Sequence, residues 1–213
     1  MEKLKHVALG ISGASGVVYG LRLAQCLLEA PARVSLIFSQ NAKVIAESEC
    51  GITLPESPEL VKDFLLDSLF LNAQSDNLQV FDEYDWNAPL ASGSGAPDSY
   101  VICPASMATV ADIAHGAAHN LITRAADVVL KLKKPLLLMP REMPFSTLHL
   151  KNLLALSEMG AAIFPASPAF YQNPQNIGDL VDFVVARLLD FLNLAPPNLT
   201  RWGENANSGD FPR

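Results

Sequence analysis

The run His6-Val7-Ala8-Leu9-Gly10-Ile11, followed by Ser12-Gly13-Ala14-Ser15-Gly16, decides how the chain is read. Continuous apolar residues without polar alternation describe a strand buried on both faces. The small-residue turn then hands over to Val17–Glu29, where Val17, Leu21, Ala24 and Leu28 recur at helical spacing. Glycine lets the turn's backbone approach a ligand closely. The helix start offers amide groups to an anion, and the Ser12 and Ser15 hydroxyls add donors. The spacing is neither GxGxxG nor a P-loop, since no Lys-Ser/Thr follows. It admits a mononucleotide phosphate, and equally a tight turn with a serine cap.

Working outward, the same alternation continues. Arg33–Phe38 reads as a strand and Asn41–Cys50 as a helix, followed by helical Pro58–Leu71 and the short strand Leu78–Phe81. Ala88–Pro97 is a small-residue loop. Tyr100–Cys103 is a buried strand, and Met107–Leu132 is mostly helical with an interruption at Gly116. Pro135–Met139 and Ala161–Phe164 are strands flanking the helix Phe145–Met159, and Ile177–Asn193 closes the pattern as a helix. Strands alternating with helices predict an α/β fold: a three-layer, doubly wound parallel sheet of Rossmann-like or flavodoxin-like type. One domain is expected over residues 1–197, with a Pro/Asn/Gly-rich tail at 198–213.

Composition agrees. Half of the 213 residues are hydrophobic and 17% are charged, which suits a sheet covered on both faces. A formal charge of -7 lacks the basic footprint of a nucleic-acid binder, so any phosphate binder must gather its cations locally. Cys26, Cys50 and Cys103 are scattered and odd in number, which argues against a disulfide framework or zinc site and for a reducing, cytoplasmic setting. No stretch approaches the roughly 18 apolar residues of a membrane span.

Ligands of doubly wound folds sit beyond the carboxyl ends of the strands. The residues expected there are Ser12 to Ser15, Ser39, Pro104-Ala105-Ser106, Pro140-Arg141-Glu142 and Pro165. Separate chain regions thus bring hydroxyls, glycine and charge to one crevice.

Eight segments then carry a family resemblance in order along nearly the whole chain: GISGASG (10–16), WNAPLASGSGAP (86–97), ICPASMATVADIAHG (102–116), NLITRAADVVLK (120–131), LMPREMPFSTLHLKNLLALSEMGA (138–161), PAFY (168–171), DLVDFVVARLLD (179–190) and RWGE (201–204). Together they resemble the UbiX flavin prenyltransferases. The resemblance implies an FMN site of Gly13, Ala14, Ser15, Ser39, Ser106, Met107, Ala108, Thr109 and Arg124. Ala105 departs from the Cys common in that family, a change that is tolerable where no thiol chemistry is required.

It also implies an activity: a dimethylallyl group passes from dimethylallyl phosphate to N5 and then C6 of reduced FMN. The product is prenylated FMN, a cofactor for UbiD-type decarboxylases, and the family's usual bacterial setting is ubiquinone synthesis. The implied phosphate ligands are Lys131, Arg141, Tyr171 and Arg187, three cations and a phenol that suit a dianion without metal. Glu142 would handle protons near the phosphate. Glu49, relayed by Ser15, would do so at the flavin, with a pKa raised by an apolar pocket. Trp86 would face the developing allyl cation. The family assembles as large homo-oligomers, so a dodecamer is expected. The resemblance folds Arg201 and Trp202 over a neighbouring subunit's site, while composition alone describes a plain tail; both readings stay open.

Singly, these residues have blander readings: Lys131, Arg187 and Glu49 as solvated helix charges, Trp86 and Tyr171 as packing residues. Asp82-Glu83-Tyr84-Asp85 reads as a solvated acidic turn rather than a magnesium motif. His115 and His119 are four apart but lack a third ligand. Two rival functions remain: a flavin-dependent decarboxylase of aromatic acids or peptidyl cysteine, and a non-catalytic flavin carrier.

Overall fold

The computed structural model describes residues 4–70 and 74–194. The strands are β1 (Lys5–Ile11), β2 (Ala32–Phe38), β3 (Leu78–Phe81), β4 (Ser99–Ala105), β5 (Leu136–Pro140) and β6 (Ala162–Ile163). The helices are α1 (Val17–Glu29), α2 (Gln40–Cys50), α3 (Pro58–Ser68), α4 (Met107–Ala114), α5 (Leu121–Lys131), α6 (Thr147–Glu158) and α7 (Ile177–Phe191). The strands form one sheet in the order β3-β2-β1-β4-β5-β6, and every neighbouring pair is parallel. This is the doubly wound arrangement, with its topological switch between β1 and β4.

Alternation along the strands builds two cores. Val7, Leu9, Ile11, Val34, Leu36, Val101 and Cys103 face one layer, where they meet α1, α2, α3 and α7. Ala8, Ile37, Tyr100, Ile102, Leu136 and Leu138 face the other, against α4, α5 and α6. Burial on both faces explains why these strands read as unbroken apolar runs. Gly20 brings α1 directly onto the sheet, since a Cβ there would lie 2.3 Å from the Cys103 carbonyl oxygen and 2.8 Å from Ile11 Cδ1.

The sequence-based elements recur with small shifts, and α1 and β3 keep their expected limits. The helical stretch expected over Met107–Leu132 breaks at Gly116, as read, into two helices. α4 stops at Ala114, Gly116 adopts φ 68°, and Asn120 starts α5 with its side chain accepting from the Thr123 amide. His115 caps α4 and His119 lies beyond it, so the two histidines do not share a helical face. Ala88–Pro97 contains two short 3-10 turns rather than open loop. Among the described residues, no helix is long and apolar enough to cross a membrane.

Candidate active site

The floor of the crevice lies where β1 and β4 diverge. Ser12, 1% exposed, donates its hydroxyl to the Pro104 carbonyl at 3.0 Å and accepts the Ser106 amide at 2.8 Å. Its hydroxyl therefore staples the two strands together and is not the ligand donor expected from sequence. The Ser39 amide donates to the Ile11 carbonyl and the Arg141 amide to the Ala105 carbonyl. Ser39, Ser106 and Arg141 are thereby held around the ends of β1 and β4.

Gly16 ends the turn at φ 99°, a left-handed conformation that favours glycine. Its amide donates to Glu49 Oε2 at 2.8 Å. Partial desolvation alone would raise the Glu49 pKa. Hydrogen bonds from the Ser15 side chain and the Gly16 and Val17 amides, with the Arg141 guanidinium nearby, outweigh it and hold the carboxyl below its ordinary value. Two expectations are corrected here: the start of α1 is not an open anion site, and Glu49 is shifted down rather than up. Arg141 Nε donates to the Ser15 carbonyl at 3.2 Å, while Glu142 is exposed and accepts the Met143 amide.

The start of α4 is the helix start that stays accessible. Ser106 caps it by accepting the Thr109 amide, and the two hydroxyls of these residues lie 2.9 Å apart. The amides of Met107 and Ala108 begin the helix, where no intrahelical carbonyl can reach them. Ala14 and Met107 are buried beside this opening and Ala108 is exposed. Arg124 donates to the Ala91 carbonyl at 3.1 Å and pairs with Asp127 at 2.8 Å. Trp86 is half exposed, its amide donating to the Tyr84 carbonyl.

Of the four expected phosphate ligands, Tyr171 and Arg187 share one aromatic ring, and Lys131 lies apart from them. Tyr171 packs edge-on against Phe183 at 5.8 Å, and the Arg187 guanidinium lies 5.5 Å from the same ring. Nε and Nη2 of Arg187 are buried and have no hydrogen-bond partner among the described residues. Nη1 is 3.4 Å from Asp190. Arg141 stands at the glycine turn. Lys131 ends α5, 11 residues or about 16 Å of rise from its start. Nearby Lys134 donates to the Ala96 and Pro97 carbonyls ahead of β4, which puts Lys131 toward the end of the sheet where the strands begin, away from the crevice. Lys131 and Arg187 also belong to helices on opposite faces. A cleft of about 420 Å³ at that end is lined by Lys133, Lys134, Met159 and Phe191, and by none of the expected site residues. Arg201 and Trp202 lie outside the described residues.

Sequence reasoning missed Glu83. Rather than sitting in a solvated turn, it is 7% exposed and accepts hydrogen bonds from the Gln40 amide at 2.6 Å and Asn120 Nδ2 at 3.2 Å. The available signal is its place two residues after an apolar strand and ahead of a tight turn.

Comparison with known proteins shows the family. The Flavoprotein family model matches residues 1–189. The flavin prenyltransferase UbiX of Pseudomonas aeruginosa is 47% identical over 204 residues, covering 96% of this chain and 97% of that protein. The structure of AnUbiX (PadA1) in complex with FMN and dimethylallyl pyrophosphate superimposes with TM-score 0.81 at 33% identity, over 93% of this chain and 97% of that one. A dodecameric FMN-dependent UbiX-like decarboxylase from Escherichia coli O157:H7 does so with TM-score 0.80 at 40% identity, over 92% and 98%. The chain belongs to the Flavoprotein family and, within it, to the UbiX proteins.

Proposed function

We propose that this protein is a flavin prenyltransferase, moving a dimethylallyl group from dimethylallyl phosphate to N5 and C6 of reduced FMN. One observation carries the relatives' activity into this chain's own chemistry: Nε and Nη2 of Arg187 are buried and have no hydrogen-bond partner among the described residues. Buried guanidinium donors without acceptors are costly, and phosphate oxygens satisfy two of them at once. The loss of phosphate from an allylic ester needs that neutralisation, because charge grows on the leaving group.

The crevice residues fit a flavin mononucleotide. The start of α4, from Ser106 to Thr109, supplies amides and hydroxyls for an anion. Gly13, Ala14 and Ser15 line the opposite wall, and Ser39 and Arg124 flank it. When bound, reduced FMN supplies the nucleophilic atoms. The chain orients it, excludes water and manages protons. Glu49, held ionised against Ser15 and Gly16, is suited to accept one. Glu142, beside Arg141, is suited to exchange one with the departing phosphate, and Trp86 offers a ring face to the allyl group.

Because Lys131 and Arg187 occupy opposite faces, the phosphate pocket is completed between copies, a neighbouring subunit bringing Lys131. A cytoplasmic homo-oligomer, a dodecamer like the Escherichia coli relative, supplies that geometry. Residues 1–197 are assigned to the single flavin-binding domain; the tail assigned to 198–213 lies outside the described residues. The product serves a UbiD-type decarboxylase.

The test is anaerobic incubation of the purified protein with reduced FMN and either dimethylallyl phosphate or the diphosphate, followed by mass spectrometry of the flavin. A flavin heavier by one prenyl unit is expected, faster with the monophosphate. Unchanged flavin with an aromatic acid consumed would make the protein a decarboxylase. Unchanged flavin and no turnover would make it a carrier.

A further inference from the structure

Glu83 is the one carboxylate among the buried described residues, and no Lys, Arg or His forms an ion pair with it there. Burying a carboxylate without a cation is unfavourable unless hydrogen bonds replace its hydration. Both oxygens are used. Oε1 accepts the amide of Gln40, the first residue of α2, at 2.6 Å. Oε2 accepts Nδ2 of Asn120, the residue that caps α5, at 3.2 Å. Its backbone carbonyl accepts the Leu121 amide at 2.7 Å.

Neither helix needs this carboxylate as a cap. Ser39 already accepts the Ala42 amide, and Asn120 already accepts the Thr123 amide. What Glu83 adds is a fixed spacer between two helix starts that belong to opposite layers of the fold. Its charge faces the positive end of both helices. Ser39 immediately precedes Gln40, and Arg124 donates its amide to the Asn120 carbonyl one turn into α5. Trp86 leaves the same turn that the Leu121 bond anchors.

We infer that Glu83 is a positioning residue: it sets the gap between Ser39 and Arg124 and the aim of Trp86, and so the width of the flavin end of the crevice. The inference rests on the proposed flavin site, but it concerns binding geometry rather than prenyl transfer. A carboxylate acting through Ser39 and Arg124 changes how tightly and in what environment FMN sits. A carboxylate that only supports folding changes stability alone.

The test measures FMN dissociation constant, the visible absorption and circular dichroism of bound FMN, and melting temperature for the wild type and Glu83→Gln. Loss of charged hydrogen bonds is expected to weaken FMN roughly tenfold and shift the flavin bands, while the protein stays folded. The Ser39→Ala effect on FMN affinity should shrink in the Glu83→Gln background, because both residues hold the same helix start. If Glu83→Gln does not fold, Glu83→Asp, which keeps the charge and shortens the reach, is read in its place, with an intermediate loss expected. A folded variant with wild-type FMN affinity and spectrum overturns the inference. Wild-type protein that binds FMN without prenylating it overturns the proposed function and leaves this test standing, and wild type that fails to bind FMN overturns both.

Discussion

The Glu49 carboxylate receives the Gly16 amide at 2.8 Å, so the start of α1 carries a counter-charge from α2. The carboxyl sits below its ordinary pKa because the folded state prefers it ionised. By linkage its stabilisation is present above the ordinary carboxylate range and disappears as pH falls through the lowered folded value.

Glu49→Gln should therefore lower the melting temperature at neutral pH and converge with the wild type in strong acid. Thermal melts across the acid range check this. Parallel curves at every pH would show that the contact contributes no pH-dependent stability.

Arg187→Met removes a guanidinium whose Nε and Nη2 are buried without a hydrogen-bond partner among the described residues. The ligand-free protein should gain about 1 kcal/mol, as when buried ionic groups give way to packed apolar ones. The same variant should lose all stabilisation by inorganic phosphate and raise the KM for the prenyl donor at least about tenfold. Scanning fluorimetry with and without phosphate, together with steady-state kinetics, separates the two effects.

Lys131 and Arg187 project from opposite layers of one copy, which predicts complementation between inactive partners. Co-expressed Lys131→Ala and Arg187→Ala chains should regain a fraction of wild-type turnover, since some mixed pockets draw both intact residues from different subunits. A pocket built within one chain would yield no recovery.

Gly20→Ala should destabilise the protein by about 1–3 kcal/mol, because the new Cβ meets the rigid Cys103 carbonyl at 2.3 Å. Denaturant unfolding measures this directly. An unchanged midpoint would mean that α1 can lift from the sheet without loss.

Much of the fold was legible because burial on both sheet faces writes itself as apolar runs, and the turn at 12–16 forces a strand-to-helix change. The division between α4 and α5 was less legible. Gly116 alone reads as a helix interruption, whereas the Asn120 cap that starts α5 works through a contact with Thr123. The site was legible in its residue types but not in its geometry. Glu49 reads as an isolated surface acid until the fold sets it against Gly16, and Lys131 reads as a crevice cation until α5 carries it away. Glu83 hid inside an acidic run because its partners, Gln40 and Asn120, lie 43 and 37 positions away.

The Ser12 hydroxyl, tied to both the Pro104 carbonyl and the Ser106 amide, bears on how a planar guest enters. Strands riveted at this point cannot gape, so the bottom of the groove behaves as an anvil rather than a hinge. Admission and release must then be governed by the overhanging segments at the rim, and changes in traffic through the groove should map to those segments and not to the sheet beneath.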